Sequence, residues 1–91
     1  MRALIVDDEL YIRKTLRILL TEGDIEVFEG KNVSDANDLI NKYYFDIALI
    51  DLRLPDGSGI DILKSIKEQS PDTNVLMITA FASTETAITA M

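Results

Sequence analysis

Apolar and polar residues follow one another along this chain in two rhythms. Ala3-Leu4-Ile5-Val6, Ile47-Ala48-Leu49-Ile50 and Val75-Leu76-Met77-Ile78 are uninterrupted apolar runs. Runs this short, bounded by polar residues, predict strands buried on both faces, here spanning residues 2–7, 46–52 and 74–79. Residues 25–29 alternate instead, Ile-Glu-Val-Phe-Glu, which suits a more exposed strand at a sheet edge. Between the strands the period lengthens. From Glu9 to Glu22, Ile12, Leu16, Leu19 and Leu20 fall on one helical stripe, with Arg13, Lys14 and Arg17 on the opposite, solvated face. Gly23 stands where a helix commonly stops. A second helix is predicted over 34–44, capped by Ser34 and buried through Ala36, Leu39, Ile40 and Tyr43. A third is predicted over 60–69, with Ile60, Leu63, Ile66 and Lys67 at helical spacing and Ile62 alongside. Ser70-Pro71-Asp72 breaks it, Leu54 to Gly59 reads as a loop, and Ser83 starts a fourth helix reaching Met91.

The order is βαβαβαβα with short links, which implies a parallel sheet with helices on both faces. At 91 residues the chain suits one domain. Right-handed crossovers leave few topologies, and in open sheets of this kind chemistry gathers at the carboxyl ends of the strands.

Those ends carry the most telling residues. Asp7 and Asp8 close the first apolar run, Asp51 closes the next, and Thr79 ends the last strand. Carboxylates at the ends of buried strands cost desolvation and repel one another unless a cation or a proton sits among them. Taken singly, each acid reads as a turn residue or a helix cap, Asp8 as a cap of the first helix. Taken together, with Thr79 on the neighbouring strand, they read as a site.

Composition narrows what the site can hold. The chain has neither cysteine nor histidine, which excludes disulfides, thiolate catalysis and the usual transition-metal ligands. A hard cation held by oxygen remains, and Mg²⁺ suits a few carboxylates plus waters that a phosphate can replace. The formal charge of −7 disfavours direct contact with nucleic acid. No apolar stretch approaches a membrane span, and with no signal-peptide pattern the cytoplasm is the expected compartment. The turn after the first strand, Asp7-Asp8-Glu9-Leu10, lacks the glycines of a dinucleotide fold and would repel a bare phosphate. With a metal present the roles separate. Asp8 and Asp51 each offer it an oxygen, Asp7 binds through a water, and the Arg53 backbone carbonyl lies where the strand opens. Asp51 keeps a free oxygen that can attack phosphorus, and the Thr79 hydroxyl can bond a phosphoryl oxygen.

Leu-Ile-Val-Asp-Asp at 4–8, Asp-Ile-Ala-Leu-Ile-Asp-Leu-Arg-Leu-Pro-Asp-Gly-Ser-Gly at 46–59 and Val-Leu-Met-Ile-Thr-Ala at 75–80 together resemble the receiver domain of two-component response regulators. The stretch 81–87 is similar to receivers of sigma-54-dependent activators. The resemblance implies a flavodoxin-like, doubly wound (βα)₅ fold of order 2-1-3-4-5. This chain would supply a truncated (βα)₄ of order 2-1-3-4, a receiver over 1–91 lacking the fifth strand and its helix, a unit of roughly 30 residues. It implies that Asp51 is phosphorylated by a histidine kinase docking on the first-helix face, and that Asp7 and Asp8 hold Mg²⁺. Thr79 is then the switch hydroxyl and Ala80 the small residue that leaves room for the phosphoryl group. Arg53 and Phe81 would set how long that group survives. The domain would act as a phosphoacceptor rather than an enzyme, controlling a DNA-binding or ATPase output domain not in this chain.

The family's phosphoryl-contacting lysine belongs to the missing strand, which should weaken the chemistry. The fourth strand would be left as an open apolar edge, so a dimer or swapped assembly is expected. Two other functions stay open: a receiver-like interaction module that takes no phosphate, and an aspartyl-phosphate phosphohydrolase. The latter usually has a second aspartate two residues after the first, where Arg53 stands.

Overall fold

The structure is a computed structural model, and it describes residues 1–78. The predicted alternation is present. β1 (Arg2–Val6), β2 (Glu26–Gly30), β3 (Ile47–Ile50) and β6 (Asn74–Met77) form one parallel sheet in the order β2-β1-β3-β6. The helices are α1 (Leu10–Thr21), α2 (Val33–Lys42) and α3 (Gly59–Gln69). β2 is an edge strand, as its alternation suggests. The fourth helix expected after Ser83 lies outside the described residues.

The sheet's two faces differ because a strand sends successive side chains to opposite sides. Leu4, Val6, Ala48 and Ile50 point to one side, where Ala36 and Ile40 of α2 and Ile62 and Ile66 of α3 complete a buried apolar cluster with Phe45. Ala3 and Ile5 point to the other side, beside Val27 and Glu29 in register, and α1 packs there against β1 and β2.

Three local features depart from the sequence expectation. Residues 53–58 are an antiparallel ribbon, β4 (Arg53–Leu54) paired with β5 (Gly57–Ser58), rather than an irregular loop. α2 is capped by Asn32, whose side chain accepts from the Asp35 N–H at 2.7 Å; Ser34 is already inside the helix. Beyond α1, Gly23 keeps a negative φ and Asp24 takes the left-handed conformation at φ 58°. Aspartate tolerates that region better than most residues, so the chain turns one position later than the glycine implied.

The largest correction concerns α1. Arg13 does not face solvent: it is 8% exposed and packs beneath the helix against Asp7 and Glu29. Leu19, expected in the buried stripe, is 61% exposed. The helix is rotated so that Arg13 and Arg17 reach Glu29 on β2, which accepts from both guanidinium groups.

Candidate acidic site at the carboxyl ends of the strands

β1 and β3 are neighbours, with Val6 opposite Ile50, so the residues that follow them emerge side by side. The Asp51 N–H donates to the Val6 carbonyl at 2.8 Å, extending that pairing to the first acid past the strand. The Asp7 N–H donates to the Gly30 carbonyl at 3.1 Å on the other side. The result is a cluster in which Asp7, Asp8 and Asp51 each present a carboxylate oxygen, all within 4.8 Å of one another. Asp7 is buried, Asp51 half-buried and Asp8 exposed, so the cluster opens outward through Asp8.

Asp8 does not serve as the cap of α1. The N-cap is Glu9, which makes no side-chain capping bond, and the Glu9 N–H is taken by Asp7 Oδ1 at 2.8 Å. Asp8 is thereby left to the cluster. Burial pushes the Asp7 carboxyl above the ordinary carboxylate range; the Glu9 N–H opposes this, while repulsion from Asp51, Asp8 and Glu9 adds to it. A cation among these oxygens would relieve both the repulsion and the desolvation. The donors are all oxygen and their spacing is small, so the residues fit a hard cation such as Mg²⁺.

The loop after Asp51 is fixed at two points. Gly59 lies against the Asp51 backbone: a Cβ added there would come within 2.2 Å of the Asp51 carbonyl oxygen, while the Gly59 N–H donates to the Leu52 carbonyl at 2.8 Å. Only glycine permits so close an approach. Asp56, at the tip of the ribbon, accepts from the Val33 and Ser34 N–H groups at 2.7 and 3.1 Å, tying the ribbon to the start of α2. Arg53 is exposed and opens the ribbon opposite Ser58. Of the expected site residues, Asp7, Asp8 and Asp51 are brought together and Arg53 lies two residues on; Thr79, Ala80 and Phe81 lie outside the described residues. Arg13, Glu29, Gly59 and Asp56 were not singled out as parts of the site. Glu29, opposite two arginines one helical turn apart, was the available signal for the first two.

The family profile of the response regulator receiver domain matches residues 3–91. The chain belongs to this receiver family. Among curated proteins, the receiver is 46% identical over 90 residues to the response regulator protein PilR of Pseudomonas aeruginosa, covering 99% of this chain and 20% of PilR. It thus spans about a fifth of that relative's length. Among solved structures it resembles the beryllofluoride-activated NtrC4 receiver domain dimer, with a TM-score of 0.89 and 36% identity over 98% of this chain and 74% of that one. It also resembles TrrA of Thermotoga maritima in complex with Mg²⁺ and beryllofluoride, at a TM-score of 0.86 and 26% identity over 98% of this chain and 77% of that one. The receiver thus carries the flavodoxin-like fold and an acidic triad able to hold a metal. Among the described residues no helix is long and apolar enough to cross a membrane.

Proposed function

We propose that this receiver is a phosphoacceptor signalling domain in which Asp51 takes a phosphoryl group from a histidine kinase. The observation that carries the reading is the convergence of Asp7, Asp8 and Asp51 at adjacent strand ends in a chain of the receiver family. In the transfer, an Asp51 carboxylate oxygen forms a bond to phosphorus as the phosphorus–nitrogen bond of the kinase phosphohistidine breaks. Asp7, Asp8, Asp51 and the Arg53 carbonyl would hold Mg²⁺, which when bound supplies charge neutralisation for the phosphoryl oxygens. Gly59 keeps the backbone of Asp51 in place, and the Asp56 tie to α2 holds the loop beyond it.

Thr79 is proposed as the switch hydroxyl, Ala80 as the space beside it, and Arg53 with Phe81 as the residues that govern the lifetime of the aspartyl phosphate. The kinase would dock on the exposed side of α1, where Lys14 and Ile18 lie. Phosphorylation would bias the association surface between two states, with output through a separate domain. NtrC4 is described as a receiver domain dimer; here the side of β6 that has no partner strand among the described residues is proposed as a pairing edge.

The test is exposure of the protein to Mg²⁺ and a small phosphodonor or beryllofluoride, read by mass and by amide chemical shift. A persistent adduct that vanishes in Asp51→Asn is the expected result. Rapid turnover of the donor without an adduct would replace the reading with a phosphohydrolase, and no response to either reagent would leave an interaction module.

A further inference from the structure

We infer that Arg13 is a positioning residue for the acidic site: from beneath α1 it clamps the Asp7 carbonyl and so fixes the peptide that joins the two adjacent acids. This rests on the reading of the acids as a cation site. Arg13 Nη1 donates to the Asp7 carbonyl oxygen at 2.6 Å, a buried bond. That carbonyl belongs to the Asp7–Asp8 peptide, so its direction sets where Asp8 leaves the chain relative to Asp7. Asp7 is held on its other atoms as well, through its N–H on the Gly30 carbonyl and its Oδ1 on the Glu9 N–H. The Arg13 bond is the restraint that acts directly on the peptide between the two acids.

The guanidinium is itself anchored. Its Nε lies 3.2 Å from Glu29 Oε1 on β2, and Glu29 Oε2 takes Arg17 Nε at 2.5 Å. Arg17 Nη2 in turn donates to the Val27 carbonyl at 3.2 Å. A buried cation is costly unless it is paired and hydrogen-bonded, and Glu29 supplies the pairing. The arrangement needs arginine in particular. Two separate nitrogens of one planar group reach a backbone carbonyl and a carboxylate at once, which a lysine ammonium cannot match in fixed geometry. A chain of contacts therefore runs from the edge strand through Glu29 and Arg13 to the acidic pair. Arg17 shares Glu29 but bonds to the Val27 carbonyl rather than to Asp7, and so separates support of the fold from support of the site.

The test is a Mg²⁺ titration of the full chain, followed through the Asp8 and Asp51 amide resonances, in the parent, Arg13→Met, Arg13→Lys and Arg17→Ala. Groups that orient metal ligands from outside typically change affinity by about tenfold to a hundredfold. Arg13→Met is expected to weaken Mg²⁺ binding by about tenfold or more, while Arg17→Ala stays within about twofold of the parent. Arg13→Lys keeps the charge and the fold and covers the case in which Arg13→Met fails to fold; it is expected to bind several-fold more weakly than the parent. Parent-like affinity in Arg13→Lys, or in a folded Arg13→Met, overturns the inference, as does an equal loss in Arg17→Ala. A parent that does not respond to Mg²⁺ overturns the reading of the acids on which the inference stands, a result distinct from either.

Discussion

On the side of the sheet covered by α2 and α3, Leu4, Val6, Ala48 and Ile50 meet Ala36, Ile40, Ile62 and Ile66, and the contact is apolar throughout. On the side covered by α1, the helix's one buried side chain is Arg13, held to Glu29 and Asp7, while Leu10, Tyr11, Ile18 and Leu19 remain exposed. The first side is closed by area removed from water, a non-directional force that rewards any good packing. The second also buries apolar sheet residues, Ala3, Ile5 and Val27, and is tied in addition by directional bonds that specify where one backbone carbonyl points. Apolar burial thus serves both faces, but on the α1 side polar bonds also bear on the geometry of the acidic site. Substitutions on the two faces should fail in different ways.

The largest effect belongs to the apolar face. Ile62 is fully buried at the centre of that cluster. Ile62→Ala is expected to cost about 2–5 kcal/mol, a large part of what a domain this small possesses. Urea unfolding followed by circular dichroism would measure it, and a cost under about 1 kcal/mol would mean that this face contributes less than its burial implies.

The next effect sets two acids against each other through pH. Burial raises the Asp7 carboxyl above its unfolded value. Protonated Asp7 therefore favours the fold, and its contribution declines as pH rises from the ordinary carboxylate range through the raised value. Asp56 is the opposite case. The Val33 and Ser34 N–H groups lower it, against a smaller effect of burial, so its contribution is present above the unfolded value and fades as pH falls through the lowered one. Without Mg²⁺, Asp7→Asn should remove the loss of stability on raising the pH, whereas Asp56→Asn should remove a loss on lowering it. Added Mg²⁺ should stabilise the parent at neutral pH by mass action and do little for Asp7→Asn. Thermal melts across pH 3–8, with and without the cation, would check all three.

This division also explains what could be read before the structure. The α2/α3 face was largely legible because apolar periodicity is a direct record of burial: Ala36, Ile40, Leu63 and Ile66 fell where the stripe put them, while Tyr43, expected in the same stripe, is 37% exposed and caps the end of α2. The acids at the strand ends were legible because nothing in packing accounts for them. The α1 face was misread because periodicity treats arginine as polar and leucine as apolar, whatever partner waits across the interface. Glu29 on β2 draws Arg13 and Arg17 inward and turns Leu19 out. Gly59 was grouped with loop glycines, since its closeness to the Asp51 carbonyl is a tertiary fact that composition does not record.

The smallest effect tests the exposed side of α1 and the side of β6 that lacks a partner strand among the described residues. Ile18 and Leu19 stand out from α1, and Leu76 stands out from β6 on the side of the sheet away from Met77, which packs against the apolar cluster. None of the three is buried, so Ile18→Gln, Leu19→Gln and Leu76→Lys should each change folding stability by no more than about 0.5 kcal/mol, in contrast to Ile62→Ala. Their effect belongs to association instead. If β6 pairs with a second copy, light scattering of the parent should show mass rising with concentration, and a lysine on that strand should suppress the rise, since charge on an edge opposes strand addition. The glutamines on α1 would leave β6 pairing unchanged, because they lie on the helix and not on the strand that supplies the hydrogen bonds. A parent that stays monomeric at high concentration would remove β6 as a pairing edge while leaving the contrast between the two faces intact.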